Sequence, residues 1–165
     1  MNGWMVSAAL AIGLLAGACG STGVTFVSPE YAKRPVQPLN PQAAAAEINA
    51  FRARNGVPSV SLDARLTRAA AVHSEDQARR GRIGHSGSDG SKPMQRAARA
   101  GYRPKIASEN VASGQKSFSD VMQSWEGSSG HRTNLLRPNV KEIGVAMAQN
   151  ESGRPYWTLV LGSER

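Results

Sequence analysis

The chain has 165 residues, 40% of them hydrophobic and 5% aromatic, and its 20 Lys and Arg against 12 Asp and Glu give a formal charge of +8. That length suits one domain with its own hydrophobic core, built largely from Ala, Leu, Val and Ile, and a single Cys excludes an internal disulfide framework. The charge is scattered (Arg52, Arg54, Arg65, Arg68, Arg79, Arg80, Arg82, Arg96, Arg99, Arg103); with few aromatics and no nucleic-acid motif it excludes nucleic acid as the expected partner, and leaves anionic headgroups, acidic glycans or plain solubility.

Val6–Ala18 is an apolar run of small residues ending at Cys19. As a helix it is about 20 Å long, short of a bilayer's hydrocarbon core, so it reads as the apolar part of a signal peptide over residues 1–18. It resembles a bacterial lipoprotein signal, in which that cysteine becomes the lipidated first residue of the mature chain. It departs from the pattern in having no Lys or Arg before the run and Ala16 where Leu is usual. The resemblance implies export and a membrane partner reached through a lipid on Cys19; an ordinary secretory signal implies a secreted or periplasmic soluble protein instead. Residues 19–40, broken by Ser28, Pro29, Pro35 and Pro38, read as a flexible tether, and residues 41–165 as the folded domain.

Asn40-Pro41 is a cap followed by Pro at the first helical position, which predicts a helix over 42–54 stopped by Gly56, with Ala44, Ile48 and Phe51 inward. Ser61-Leu62-Asp63-Ala64 starts a second helix that runs to about Arg80 and ends at Gly81, burying Leu62, Leu66, Ala69, Ala70 and His73 at the 3.6-residue period. His73, alone on that stripe, reads as a core residue. Ser91 caps a short helix over 92–100, residues 102–116 read as mostly irregular, and Ser117 with Asp120 caps a fourth helix that buries Val121, Met122 and Trp125. A short helix over 131–136 follows. Alternation from Ile143, a turn at Asn150–Gly153 and the run Tyr156–Leu161 predict a β-hairpin. The fold class is α+β, helices packed on an antiparallel sheet.

Three polar points stand apart from this scaffold: Gly84-His85-Ser86, Ser108-Glu109-Asn110-Val111-Ala112 and Trp125-x2-Ser128-x-Gly130-His131-Arg132. Together with Leu66-x2-Ala69-Ala70-x2-His73, Gly101-Tyr102, Glu142-Ile143-Gly144-Val145 and Tyr156-Trp157-Thr158, they resemble, in order, the landmarks of the CAP superfamily, the cysteine-rich secretory, antigen 5 and pathogenesis-related 1 proteins. The likeness spans about residues 44–162. It implies a three-layer α-β-α sandwich with a cleft that carries two His and two Glu, which in some members binds a divalent metal. His85 and His131 match the histidines and Glu109 the first glutamate. Ser128 stands where the second glutamate belongs, and Glu126, about 200° away around a helix, points elsewhere.

Two imidazoles can hold a borderline ion such as zinc, with His85 and His131 as metal ligands; a catalytic site needs a third ligand, for which Glu109 is the candidate. A histidine with a carboxylate partner can instead act as general base, making His85, Glu109 and His131 the candidate catalytic residues. The third reading is a hydrogen-bonded knot joining loops. Ser86, Ser128 and Ser129 lie in no nucleophile elbow, Trp125 and Trp157 read as core, and Asn110 and Asn134 as amides that pin loops. Two functions remain open: a binding module for a lipid, glycan or protein, or a hydrolase, peptidase or esterase, using the same cleft with or without metal.

Overall fold

The computed structural model describes residues 28–165; the expected signal, Cys19 and the first part of the tether lie outside the described residues. Pro29–Lys33 forms a one-turn helix, α1, within a stretch whose composition predicts irregular chain. Arg34–Arg165 forms a compact unit of its own. It takes in the end of the expected tether: Gln37 N–H donates to Lys116 O at 2.7 Å, and Leu39 packs against the core.

The helices begin where their caps place them. α2 (Pro41–Arg54) starts at Asn40, whose side chain accepts from Ala43 N–H, and it buries Ala44, Ile48 and Phe51. α3 (Ala64–Arg80) starts at Asp63, which accepts from Arg65 and Leu66 N–H, and stops at Gly81 in the left-handed conformation that Gly adopts without strain. α4 (Pro93–Arg99) is capped at Lys92 rather than Ser91, with Lys92 N–H donating to Gln95 Oε1 at 2.8 Å. α5 (Phe118–Gly127) is capped by Ser117 through Asp120 N–H, and α6 (Ser129–Leu135) follows after the single residue Ser128.

The sheet corrects two expectations. Pro104–Ser113, expected to be irregular, is a ten-residue strand, β2. Ser61–Leu62, expected to belong to the start of a helix, is a short strand, β1, that runs parallel to β3 (Glu142–Gln149). The sheet is therefore mixed rather than purely antiparallel, in the order β1-β3-β4-β2, with β4 (Pro155–Glu164) between β3 and β2. The expected hairpin is β3–β4, antiparallel, with Val145 opposite Leu159.

Both faces of the sheet are covered, giving the three layers. Trp157, Leu159 and Leu161 of β4 join Ile143 and Val145 of β3 in one core with α2, α5 and Leu135 of α6. Val160 and Ala146, one residue out of step, join Leu66 and Ala70 of α3 and Ala97 of α4 in a second core. The period-2 alternation of the strands sorts these residues. α3 lies so close on β3 that a methyl at Gly144 would run into the backbone of Leu66 and Thr67, so that position admits no side chain.

Candidate functional site

β2 is an edge strand, and its register explains how the three expected loops meet. Glu109 sits opposite Val160, and Asn110 opposite Leu159. Residues opposite each other in an antiparallel pair point to the same face. Glu109 therefore faces the α3–α4 layer with Val160, and Asn110 faces the α2–α5–α6 layer with Leu159. The two adjacent residues hold the two sides of a site that wraps the edge of the sheet.

On the α3–α4 side, Glu109 is 4% exposed and is fully engaged. Arg96 Nη2 donates to its Oε2 at 2.6 Å, and His85 Nδ1 donates to its Oε1 at 2.9 Å. His73 Nε2 lies 3.5 Å from the same Oε1 and 2.7 Å from Gly84 O. Arg96 also reaches back to His85 O and Ser91 O, so it clamps the loop that carries His85. A carboxylate cannot donate, so His85 Nδ1 must carry the hydrogen, which leaves Nε2 of a half-exposed ring on the open side.

On the other side, Asn110 Nδ2 donates to His131 O at 3.1 Å, and Asn134 Nδ2 donates to Asn110 Oδ1 and Glu109 O at 2.9 and 3.1 Å. These amides tie α6 to β2. From behind, Arg52 of α2 is completely buried and donates to the carbonyls of Pro58, Leu135 and Arg137. It places a cation at the C-terminus of α6, where the free carbonyls and the helix dipole attract one. The His131 ring packs 6.2 Å from the Trp125 ring, centroid to centroid, and Trp125 Nε1 donates to Val111 O.

The three histidines of the chain have different electrostatics. The hydrogen bond to Glu109 raises the pKa of His85. Burial lowers that of His73, outweighing the attraction of Glu109. Burial, with the charge of nearby His85 adding to it, lowers that of His131. The arrangement therefore favours charge on His85 over charge on the other two.

Of the expected residues, His85 and Glu109 make direct contact, and His131 lies beyond Asn110, near enough to His85 to feel its charge. Glu126 points away and pairs with Arg54 at 3.6 Å. Ser128 is the joint between α5 and α6. Among the described residues no group of three or more His, Cys, Asp or Glu side chains is arranged to hold a metal ion. The donors explain this: Glu109 spends both oxygens on Arg96 and the histidines, and Ser128 offers no carboxylate, so His85 and His131 remain as the candidate ligands. Arg96 and Arg52 are the residues that sequence reasoning misses. In the sequence both stand among scattered cations, and no spacing sets them apart. His73 is core, as expected, yet its ring also closes one side of Glu109.

The comparisons with known proteins agree with this architecture. The model of the cysteine-rich secretory protein (CAP) family matches residues 45–161. An uncharacterized protein of Bacillus subtilis strain 168, YkwD, is 33% identical over 67% of this chain, and the match spans 42% of that relative's length. Among solved structures, an outer surface protein from Borrelia burgdorferi superposes with a TM-score of 0.70 at 20% identity, covering 75% of this chain and 92% of that one. An extracellular protein containing an SCP domain from Bacillus anthracis Ames gives 0.65 at 22% identity over 78% of this chain and 45% of that one. From its motifs, its layers and the matched residues, the chain belongs to the cysteine-rich secretory protein family.

Proposed function

We propose that this protein is an exported binding module of the bacterial envelope, anchored through a lipid on Cys19, that holds a lipid, glycan or protein ligand at the cleft between His85 and His131. The observation that carries the reading is the state of Glu109. A carboxylate that accepts from Arg96 on one oxygen and from His85 on the other is an orienting group, with each oxygen already engaged. It fixes the half-exposed His85 ring by its Nδ1, and in this reading Nε2 is the preorganised contact for a ligand hydroxyl or carbonyl. Solved extracellular and outer surface proteins share the fold, which supports export.

A hydrolase is the second reading, favoured by the 2.9 Å contact of His85 with Glu109, which resembles the orienting half of a catalytic dyad. The raised pKa of His85 suits it to donate a proton more than to accept one. Zinc would have His85 and His131 for ligands and would need water or a substrate to complete four-coordination. Calorimetric titration of the full chain with Zn²⁺, beside the His85→Ala/His131→Ala variant, separates these readings. The binding-module reading expects weak or no Zn²⁺ uptake in both and no turnover of peptide or ester substrates. Micromolar binding lost in the variant, or turnover that depends on His85, would overturn it.

A further inference from the structure

Behind the Glu109 network, between α3, the loop 87–91 and α4, lies a cavity of about 510 Å³ that the cleft does not use. Its size is that of a small-molecule site, and such sites combine apolar walls with a few convergent polar groups. The walls here are Ala69, Val72 and Ala100, and Val72 is a 60% exposed hydrophobic residue. At the mouth, Arg79 pairs with Asp76 and Arg99 with Asp89, which leaves Arg68, whose Nη2 donates to Ala100 O, as the cation in excess of the acids there.

The floor carries the argument. His73 is 0% exposed and Arg96 5% exposed; both line the cavity, and His73 Nδ1 and Arg96 Nε are buried without a hydrogen-bond partner among the described residues. A buried polar group left unmet is destabilising, so a ligand that satisfies both gains directly. Their polarities follow from the bonds that the same side chains already make. His73 Nε2 lies on Gly84 O, an acceptor, so Nε2 carries the hydrogen and Nδ1 of the neutral ring accepts. Arg96 spends Nη1 on Ser91 O and Nη2 on Glu109 and His85 O, which leaves the Nε hydrogen to donate. One acceptor and one donor on a shared floor match a hydroxylated ligand, in which an O–H donates to His73 and an oxygen accepts from Arg96. Inorganic phosphate can meet Arg96 and His73 but has no C–H face to lay on Val72 and Ala69.

We propose that this cavity is a second binding site, for a sugar that carries a carboxylate or a phosphate. Its hydroxyls rest on His73 and Arg96, its C–H face on Val72 and Ala69, and its acid on Arg68, beside the Arg99–Asp89 pair. This site is separate from the cleft and stands whether or not the cleft binds anything.

The test is NMR of the full chain labelled at the Ala and Val methyls and at the His and Trp ring nitrogens, titrated separately with glucuronate, glucose 1-phosphate, glucose and inorganic phosphate. Glucuronate or glucose 1-phosphate shifts the Val72 and Ala69 signals to saturation, glucose does so about tenfold more weakly, and inorganic phosphate leaves them in place. Arg68→Ala/Arg99→Ala reduces the affinity for the charged sugars to that for glucose. Val72→Trp, a change at an exposed position that fills the cavity, abolishes the response while the His131 signals stay unmoved. The proposal fails if no probe shifts these methyls at roughly 10 mM. It fails equally if inorganic phosphate competes as well as glucose 1-phosphate, if the shifts fall on Trp125 and His131, or if Val72→Trp binds undiminished.

Discussion

The two faces of the sheet are built on opposite principles. The α2–α5–α6 face is chiefly an apolar core, with Trp125, Trp157, Ile48 and Leu135 fully buried and with Arg52 and Asn110 bringing buried polar groups to its margin, and shape and area hold most of it together. The α3–α4 face is studded with buried polar groups: Ser74 and Gln77 of α3 both donate to Thr158 Oγ1, at 2.9 and 3.0 Å, and Arg96, Glu109 and His73 meet a few residues away. There, hydrogen-bond geometry does the positioning, and a missing partner does more damage than a missing methyl. The candidate site lies where the two regimes meet, at an edge strand that contributes one residue to each.

Substitutions on either side sharpen this contrast. The largest effect is expected at Gly144→Ala, where a methyl meets the backbone of α3; it should cost about 3 kcal/mol or more and show as loss of the folded protein or of most of its thermal stability. Next, Arg96→Met leaves Glu109 buried without its cation and should cost about 3–5 kcal/mol in denaturant unfolding. Adding Glu109→Leu should recover most of that loss, the sign of a polar regime. On the apolar face, Leu135→Ala should cost about 2–4 kcal/mol, with no second-site substitution of one polar group able to restore it. Asn110→Ala should cost about 1–3 kcal/mol and broaden the His131 ring signals in NMR, because the bond to His131 O is lost.

The smallest effect is that of pH. His73 and His131 have lowered pKa values in the fold, so the unfolded chain binds their protons first and stability falls as pH drops below about 6.5. His85 runs the other way. Its pKa is raised, so its contribution is present at low pH and fades as pH rises through that raised value, but the half-exposed ring keeps it small. Calorimetry at about pH 7.5 and about pH 5.5 should therefore show a lower Tm in acid, with most of the difference removed by His73→Gln.

Much of this was legible in the chain because short-range rules govern it. Asn40, Ser117 and Gly81 mark helix ends through their own side chains or backbone, and the β3–β4 hairpin shows in its alternation. β2 was hidden for a physical reason: Glu109 and Asn110 face opposite polar surroundings, so no apolar–polar alternation exists there to be read. β1 is too short to signal itself. Arg52 and Arg96 look in sequence like any surface arginine, and the carbonyls and carboxylate that bury them come from residues far along the chain. The resemblance points to Glu109, but its hydrogen bonds to Arg96 and His85 exist only in three dimensions.

The place of β4 has a consequence for how the protein is made. The fourth strand in chain order lies between the second and third, so the sheet has no hydrogen-bonded link from β2 to β3 until the final strand exists. A nascent chain emerging from the ribosome can form its capped helices early but cannot close either core until Trp157–Leu161 arrives. For a polypeptide that we propose to be exported, that delay leaves it loosely structured while it is threaded through a translocation channel, and the fold locks only on the far side.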